Sequence, residues 1–311
     1  MDTVQAFEET PSIYEGSVAS IRSELNLFEL LPTDVSTTNA TEYIQCFPLV
    51  STREASAPLE FVLNLETVGY FDPQDSFLSL TCRILRQDNT KLDGTDLVAP
   101  SHNFFQNLFQ SLEVYINGQL VSDSHNNYRT IAYLHRLLTY SEEQKRNLLK
   151  DELWIPDTTP ETFAVADAGW NQRYELGKLS QQFCVSGSLV ANVLTQPRFI
   201  PSGSEIRIVL RRSLPQFCLD ASYATKEPYN GCPYTVSIDS AVFYASKKAV
   251  TQRVNDMHKT LHKTKPYLFP VTELQLRNFS ITTGLSHFTT EGIILGKLPR
   301  IIVFGKQDKS T

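Results

Sequence analysis

The sequence predicts an all-β protein: a jelly-roll β-sandwich with a helical insertion, followed by the start of a second, incomplete jelly roll. Short apolar-alternating runs recur between Gly, Pro, Asn and Asp punctuation, the pattern of a sandwich or roll. The run LEVYINGQLVS places Asn117-Gly118 between alternating apolar positions, with Leu112, Val114 and Ile116 before it and Leu120 after it. That is the strongest short-range hairpin signal. One strong helical pattern then interrupts the strands. Its Ile131, Leu134, Leu137 and Leu138 are spaced three and four apart, which predicts one buried helix face.

Residues 1–57 read as an N-terminal arm. Within it SELNLFELLP has Ser23 as a helix N-cap and Leu25, Phe28 and Leu31 on one face, stopped by Pro32. A Ser/Thr-rich connector and an extended Tyr43–Phe47 stretch follow. The first roll is expected over residues 58–245. It opens with LEFVLNLE and then SFLSLTCRILR, whose apolar positions include Phe77, Ile84 and Leu85; Asp72-Pro73 and Asp88-Asn89 are the expected turns. After the hairpin and helix, SEEQKRNLL continues helically and residues 157–169 read as a loop. QFCVSGSLVANVL, SEIRIVLRR and YTVSIDSAVFYA complete about the eight strands a jelly roll requires. Residues 246–265 form a basic connector with Val250, Val254 and Leu261 at helical spacing. Beyond it, YLFPVTELQLRNFSI, EGIILG and PRIIVFG read as the opening strands of a truncated second roll over residues 266–311.

Composition narrows the function. With 41% hydrophobic and 20% charged residues, the 311-residue chain is globular. No run approaches the roughly 20 apolar residues that cross a bilayer. The first residues, MDTVQAFEETPSIYEG, lack a charged-then-apolar secretion pattern, so the sequons at Asn39 and Asn278 are not expected to be glycosylated. Five scattered cysteines (Cys46, Cys82, Cys184, Cys218, Cys232) suit buried free thiols in a reducing compartment. The net charge of −6 resides in residues 1–35, where seven carboxylates face Arg22 alone; the remainder is neutral. A neutral body argues against general nucleic-acid binding.

No chemistry-bearing constellation emerges. His258 and His262 stand four apart on a helix, yet no third ligand is apparent and lysines flank them, so an exposed connector is the preferred reading over a metal site. The connector's charge of +5 suits a solvated linker before it suits a polyanion contact. Cys218 and Cys232 read as small buried hydrophobes. Phe104, Phe105, Leu108 and Phe109 are either an exposed aromatic patch or, preferentially, a turn tucked into the base of the sandwich. No nucleophile elbow, P-loop or dinucleotide fingerprint occurs. No catalytic, cofactor-binding or metal residue is therefore nominated, no cofactor is expected, and the chain is not read as an enzyme.

Several blocks resemble the double jelly-roll major capsid proteins of Polinton/Maverick-type elements and adintoviruses, including endogenous copies in animal genomes. SELNLF and EYIQCFPLVSTREASAPLEF are similar to that family's arm and first strand. LVAPSHNFFQNLFQSLEVYINGQLVS with NNYRTIAYLHRLLTYSEEQK resembles its hairpin-and-helix block. PRFIPSGSEIRIVLRRSLPQFCL and AVFYASKKAV resemble the closing strands of the first roll; LFPVTELQLRNFSITTG and GIILGKLPRIIVFG resemble the opening of the second. The resemblance implies two rolls side by side, trimeric capsomers and an icosahedral shell, with copies of itself and other capsid proteins as partners. It also implies a virion protein made and assembled inside the host cell. Nucleic-acid contact is expected at most through the basic connector. The alternative is a solitary jelly-roll binding module, lectin-like or a minor vertex protein.

Overall fold

The computed structural model describes residues 37–52, 57–65, 69–159, 167–221 and 232–272, together with single positions beyond 272 and the run 301–305. Eight principal strands build two antiparallel four-stranded sheets. In chain order they are β1 (Thr37–Cys46), β2 (Leu59–Asn64), β3 (Tyr70–Arg86), then, after the short β4 (Val98–Pro100) and the one-turn α1 (Phe104–Asn107), β5 (Phe109–Ile116) and β6 (Gln119–Asp123). Helices α2 (Tyr128–Thr139), α3 (Glu142–Leu148) and α4 (Ala168–Gly177) intervene. They are followed by β7 (Phe183–Gly187), β8 (Glu205–Arg212), the short β9 (Leu219–Ala221), β10 (Tyr234–Val250) and α5 (Gln252–His262).

One sheet has the order β1-β10-β3-β7 and the other β2-β8-β5-β6; β4 and β9 form a separate two-stranded pair. Counted among the eight principal strands, the first pairs with the eighth, the second with the seventh, the third with the sixth and the fourth with the fifth. A long hairpin with those four pairings, rolled so that β10 also pairs β3 and β8 also pairs β5, is a jelly roll.

Alternation makes these segments strands. In β2, Leu59, Phe61 and Leu63 point inward while Glu60 and Val62 are only half-buried. In β3, Leu78, Leu80, Cys82 and Ile84 are completely buried, and in β8 Ile206, Ile208 and Leu210 line the facing sheet. Phe61 of one sheet meets Phe243 of the other with ring centroids 6.1 Å apart. Phe104, Phe105 and Phe109 are fully buried, as the preferred reading of that cluster expects. Asn117 (φ 50°) and Gly118 (φ 76°) form the β5–β6 turn, and left-handed backbone at both centres is what a type I′ hairpin requires. Asn89 is likewise left-handed at the Asp88-Asn89 turn.

Several expectations are corrected. Asp72-Pro73 does not separate strands. It lies inside β3 as an outward fold, since Asp72 pairs Ser246 and Phe77 already pairs Tyr244. Proline has no ladder donor to give, and Ser76 repairs the gap: its hydroxyl donates to the Asp72 carbonyl (2.6 Å) and accepts from the Ser246 N–H (2.9 Å). β1 begins at Thr37, inside the segment read as an arm, and β10 continues past Ala245 to Val250. Lys247 and Lys248 are therefore strand residues paired with Glu42, Asp72 and Asp75. Of QFCVSGSLVANVL only Phe183–Gly187 is strand; Leu189–Leu194 is buried loop. Helix α4 and the β4–β9 pair have no counterpart in the sequence reading. The SELNLFELLP helix lies outside the described residues. Beyond 265, no described residue lies in a strand.

Candidate functional site

The most elaborated region is the excursion between β6 and β7, which carries α2, α3 and α4 at one end of the roll. Sequence periodicity placed Ile131, Leu134, Leu137 and Leu138 inward. The buried residues of α2 are instead Tyr128, Ala132 and Arg136, an i, i+4, i+8 line rotated from the leucines. Ile131 packs on the core and Leu134 is half-buried, whereas Leu137 is 40% and Leu138 60% exposed.

Buried polar partners explain the rotation. The Arg136 Nη2 donates to Glu152 Oε1 at 2.6 Å and its Nε to Oε2 at 3.0 Å, with both side chains almost fully buried. Arg136 Nη2 also reaches the Ser188 carbonyl (2.7 Å), and Gln106 donates to Glu152 Oε2 (2.9 Å). The Tyr128 hydroxyl donates to the Gln106 carbonyl oxygen (2.7 Å) and accepts from the Val190 N–H. Turning the leucines inward would break this network and leave the buried Glu152 without its guanidinium, at about 3–5 kcal/mol, whereas Leu137 and Leu138 are only partly exposed and forgo a fraction of the ~1.5–3 kcal/mol that full burial of each would supply. Burial pushes the Glu152 carboxyl up from its ordinary value, while Arg136, Gln106 and the Ser188 N–H pull against it. A Cβ at Gly187 would come within 2.5 Å of Glu152 Oε1; β7 needs a glycine there to let the carboxylate in.

A second network fastens α4. The fully buried Arg173 donates to the carbonyls of Pro100 (2.7 Å) and Ile155 (2.5 Å) and to the carboxylates of Asp157 (2.8 Å) and Asp220 (3.0 Å). It thereby joins β4, β9 and the loop before α4. The Asp167 side chain caps α4 by accepting from Trp170 N–H (2.8 Å). His102 sits edge-on to Trp154 at 4.5 Å, and burial together with Arg173 lowers it to about 4.

The outer surface of this anchored unit carries exposed apolar side chains among exposed charges such as Glu142, Glu143, Arg146 and Lys150. Tyr133 is 38% and Leu148 65% exposed, alongside Leu137 and Leu138. A cleft of about 220 Å³ opens beside Leu148, lined also by Phe77, Tyr140, Asp151, Glu152, Ser186 and Ser188. Exposed apolar patches on a folded body mark interaction surfaces. The residues present contact chemistry: leucines and aromatics above a rigid ionic base.

The other residues singled out from sequence are dispersed. His258 Nδ1 hydrogen-bonds the Tyr70 hydroxyl at 2.9 Å, while His262 stacks on Tyr267 at 4.1 Å, so the two rings serve different partners. No group of His, Cys, Asp or Glu placed to hold a metal occurs among the described residues. Cys184 is exposed and Cys46, Cys82, Cys218 and Cys232 are buried, with the Cys218 thiol pushed up to about 12 by burial. No helix among the described residues is long and apolar enough to cross a membrane. Arg136, Glu152 and Arg173, which organise the excursion, were missed in the sequence. Only Arg136, within YLHRLLTY, carried a signal, a charge in largely apolar and aromatic surroundings.

No family model matches the chain. An uncharacterized protein of Caenorhabditis elegans is 21% identical over 269 residues, 81% of this chain and 59% of that protein. The chain therefore spans about 59% of the length of the curated relative it matches. Among solved structures, VP54 of PBCV-1, fitted into a reconstruction of the virophage Sputnik, is 11% identical with a TM-score of 0.46, over 74% of this chain and 46% of that one. The mavirus major capsid protein is 12% identical with a TM-score of 0.40, over 80% and 55%. The Faustovirus major capsid protein is 11% identical with a TM-score of 0.38, over 78% and 58%.

Proposed function

We propose that this chain is a structural subunit of a viral-type shell, a major capsid protein of the Polinton/Maverick and adintovirus kind or an endogenised relative. It acts by self-association into trimeric capsomers. The observation that carries the reading is a coincidence of position. The blocks LVAPSHNFFQNLFQSLEVYINGQLVS with NNYRTIAYLHRLLTYSEEQK, PRFIPSGSEIRIVLRRSLPQFCL and AVFYASKKAV, which resemble this family, fall on jelly-roll strands and on the excursion between the fifth and sixth of them, and that excursion presents leucines over a buried ionic anchor. Contact between copies, with no small-molecule chemistry, is the activity such a surface supports. On this reading the protein resides in the virion, assembled inside the host cell with other capsid proteins.

Residues 266–311 are the opening strands of a second roll in the same reading. Ile301, Ile302, Val303 and Phe304 are each at least 49% exposed, an apolar run with no ladder partner among the described residues.

Light scattering across a concentration series tests the proposal. The wild-type chain is expected to form trimers and larger bodies as concentration rises. Leu138→Glu with Leu148→Glu is expected to hold it monomeric without changing its thermal unfolding. A wild-type chain that stays monomeric throughout overturns the shell reading; monomers that also bind a glycan array would establish the solitary binding module instead.

A further inference from the structure

We infer that helix α5 is the docking site for the chain's own acidic N-terminal segment, residues 1–35. The inference is independent of the shell reading. α5 holds the roll with its inner face, through Asn255, which is 1% exposed, and the His258–Tyr70 hydrogen bond. Its outer surface carries Arg253 and Lys259, and Lys263 and Lys265 follow directly; all four are exposed and form no ion pair among the described residues. The single acid of the helix, Asp256, is held by Gln252 at 2.8 Å. Met257 and Leu261, 49% and 48% exposed, lie one turn apart on the side of the helix that carries Arg253. The helix and the residues that follow it thus present cations and, beside Arg253, an apolar stripe.

The complementary segment is in the same sequence. Residues 1–35 carry the entire net charge of −6 and place Leu25, Phe28 and Leu31 at helical spacing among Glu24, Glu29 and Asp34. Charge and apolar pattern both match. The sheet register also brings the two together, because Thr37 at the start of β1 pairs with Val250 at the end of β10, two residues before α5 begins. Paired strands lie about 5 Å apart, so Thr37 stands close to the start of α5. The 11 residues of α5 span about 16 Å at 1.5 Å per residue. Glu29, eight residues before Thr37, can extend roughly 26 Å and reach the full length of the helix, while Asp34, three residues before it, reaches roughly 10 Å and so only its first two turns. A short tether supplies an effective concentration on the order of millimolar, which favours the chain's own segment over that of a second copy. Exposed ion pairs are weak singly and screened by salt, with a Debye length of about 10 Å at 0.1 M. The docking is therefore salt-sensitive and reversible.

The test uses the full chain. Zero-length carbodiimide coupling, which joins carboxylates to amines, should link Glu24, Glu29 or Asp34 to Lys259, Lys263 or Lys265 within monomers, and high salt should abolish the links. Amide exchange across Gln252–His262 should accelerate several-fold in the Glu24→Gln, Glu29→Gln, Asp34→Asn variant and in the Lys259→Glu, Lys263→Glu, Lys265→Glu variant. Exchange of β10 should stay fixed and so report an intact roll. Unchanged α5 exchange without intrachain links overturns the inference. Links found only between two copies, or α5 protection that appears only on adding a short DNA duplex, overturn it as well and assign the surface to a second chain or to nucleic acid.

Discussion

Strand β8 and the run at 301–304 are built from the same kind of residues and meet opposite fates. β8 reads EIRIVLRR, with Ile206, Ile208 and Leu210 almost completely buried and Val209 at 6%. The later run reads IIVF, flanked by Arg300 and Lys306, and its side chains are 49–80% exposed. Propensity does not separate them. β8 lies between β2 and β5 and has ladder partners on both sides; none of the described residues at 301–305 is in a ladder. A strand is a relation between distant segments, and an apolar β-branched run states only one side of it.

The sharpest way to break the contrast is to attack the roll where it is most constrained. Glu152→Ala leaves the Arg136 guanidinium buried without its carboxylate and should cost about 3–5 kcal/mol, read as a fall in denaturant midpoint. Replacing the pair together by Arg136→Met with Glu152→Leu should cost much less. Equal losses for the single and paired changes would show that shape, not charge, sets the anchor. Next comes the direct comparison. Ile208→Ala should cost about 2–5 kcal/mol, whereas Ile302→Ala should stay within about 0.5 kcal/mol in the isolated monomer. If Ile302→Ala matches Ile208→Ala, the later run has found partners within the chain.

Much of the roll was legible in sequence because its determinants are local. Period-two alternation marked β2, β3, β8 and β10, and Asn117-Gly118 fixed the β5–β6 turn by its own backbone preference. The failures are non-local. Asp72-Pro73 carries a turn signal that Ser76 and the partner strand override, and the leucines of α2 were drawn outward by a glutamate sixteen residues away. Arg173 recruits carbonyls and carboxylates from β4, β9 and the preceding loop, and no spacing rule joins such positions. The outer contact surface was hidden for the same reason: Leu137 and Leu138 looked like core until Arg136 was seen to own the inner face.

Acid should weaken the roll through its excursion and leave the 301–305 run untouched. His102 falls from an ordinary value near 6.5 to about 4 on folding, so the native state favours the neutral ring. Its contribution is present above pH about 6.5 and is lost as pH falls toward about 4, because the unfolded chain takes up the proton first; the total is roughly 2 kcal/mol after allowance for partial exposure. Unfolding curves across that window should show the decline, and His102→Gln should flatten it. A slope unchanged by His102→Gln would move the effect elsewhere, with His135, also lowered by burial, as the next group to replace.

The smallest contrast concerns two glycines. Gly118 is left-handed at φ 76°, and its hairpin is tied to the start of β8: the Asn117 N–H donates to the Glu205 carbonyl and the Asn117 side-chain oxygen accepts from the Glu205 N–H, both at 2.9 Å. Open space surrounds the position where its Cβ would sit, so Gly118→Ala meets no clash and pays only for the backbone, about 1 kcal/mol. Gly305 also has open space, without a left-handed φ, and no described ladder depends on it. Gly305→Ala should therefore leave the unfolding midpoint unchanged. The two substitutions remove the same freedom and differ only in whether a turn uses it. If Gly118→Ala were as silent as Gly305→Ala, the β5–β6 register would be held by β8 alone, and the hairpin signal that is strongest in the sequence would be dispensable to the fold.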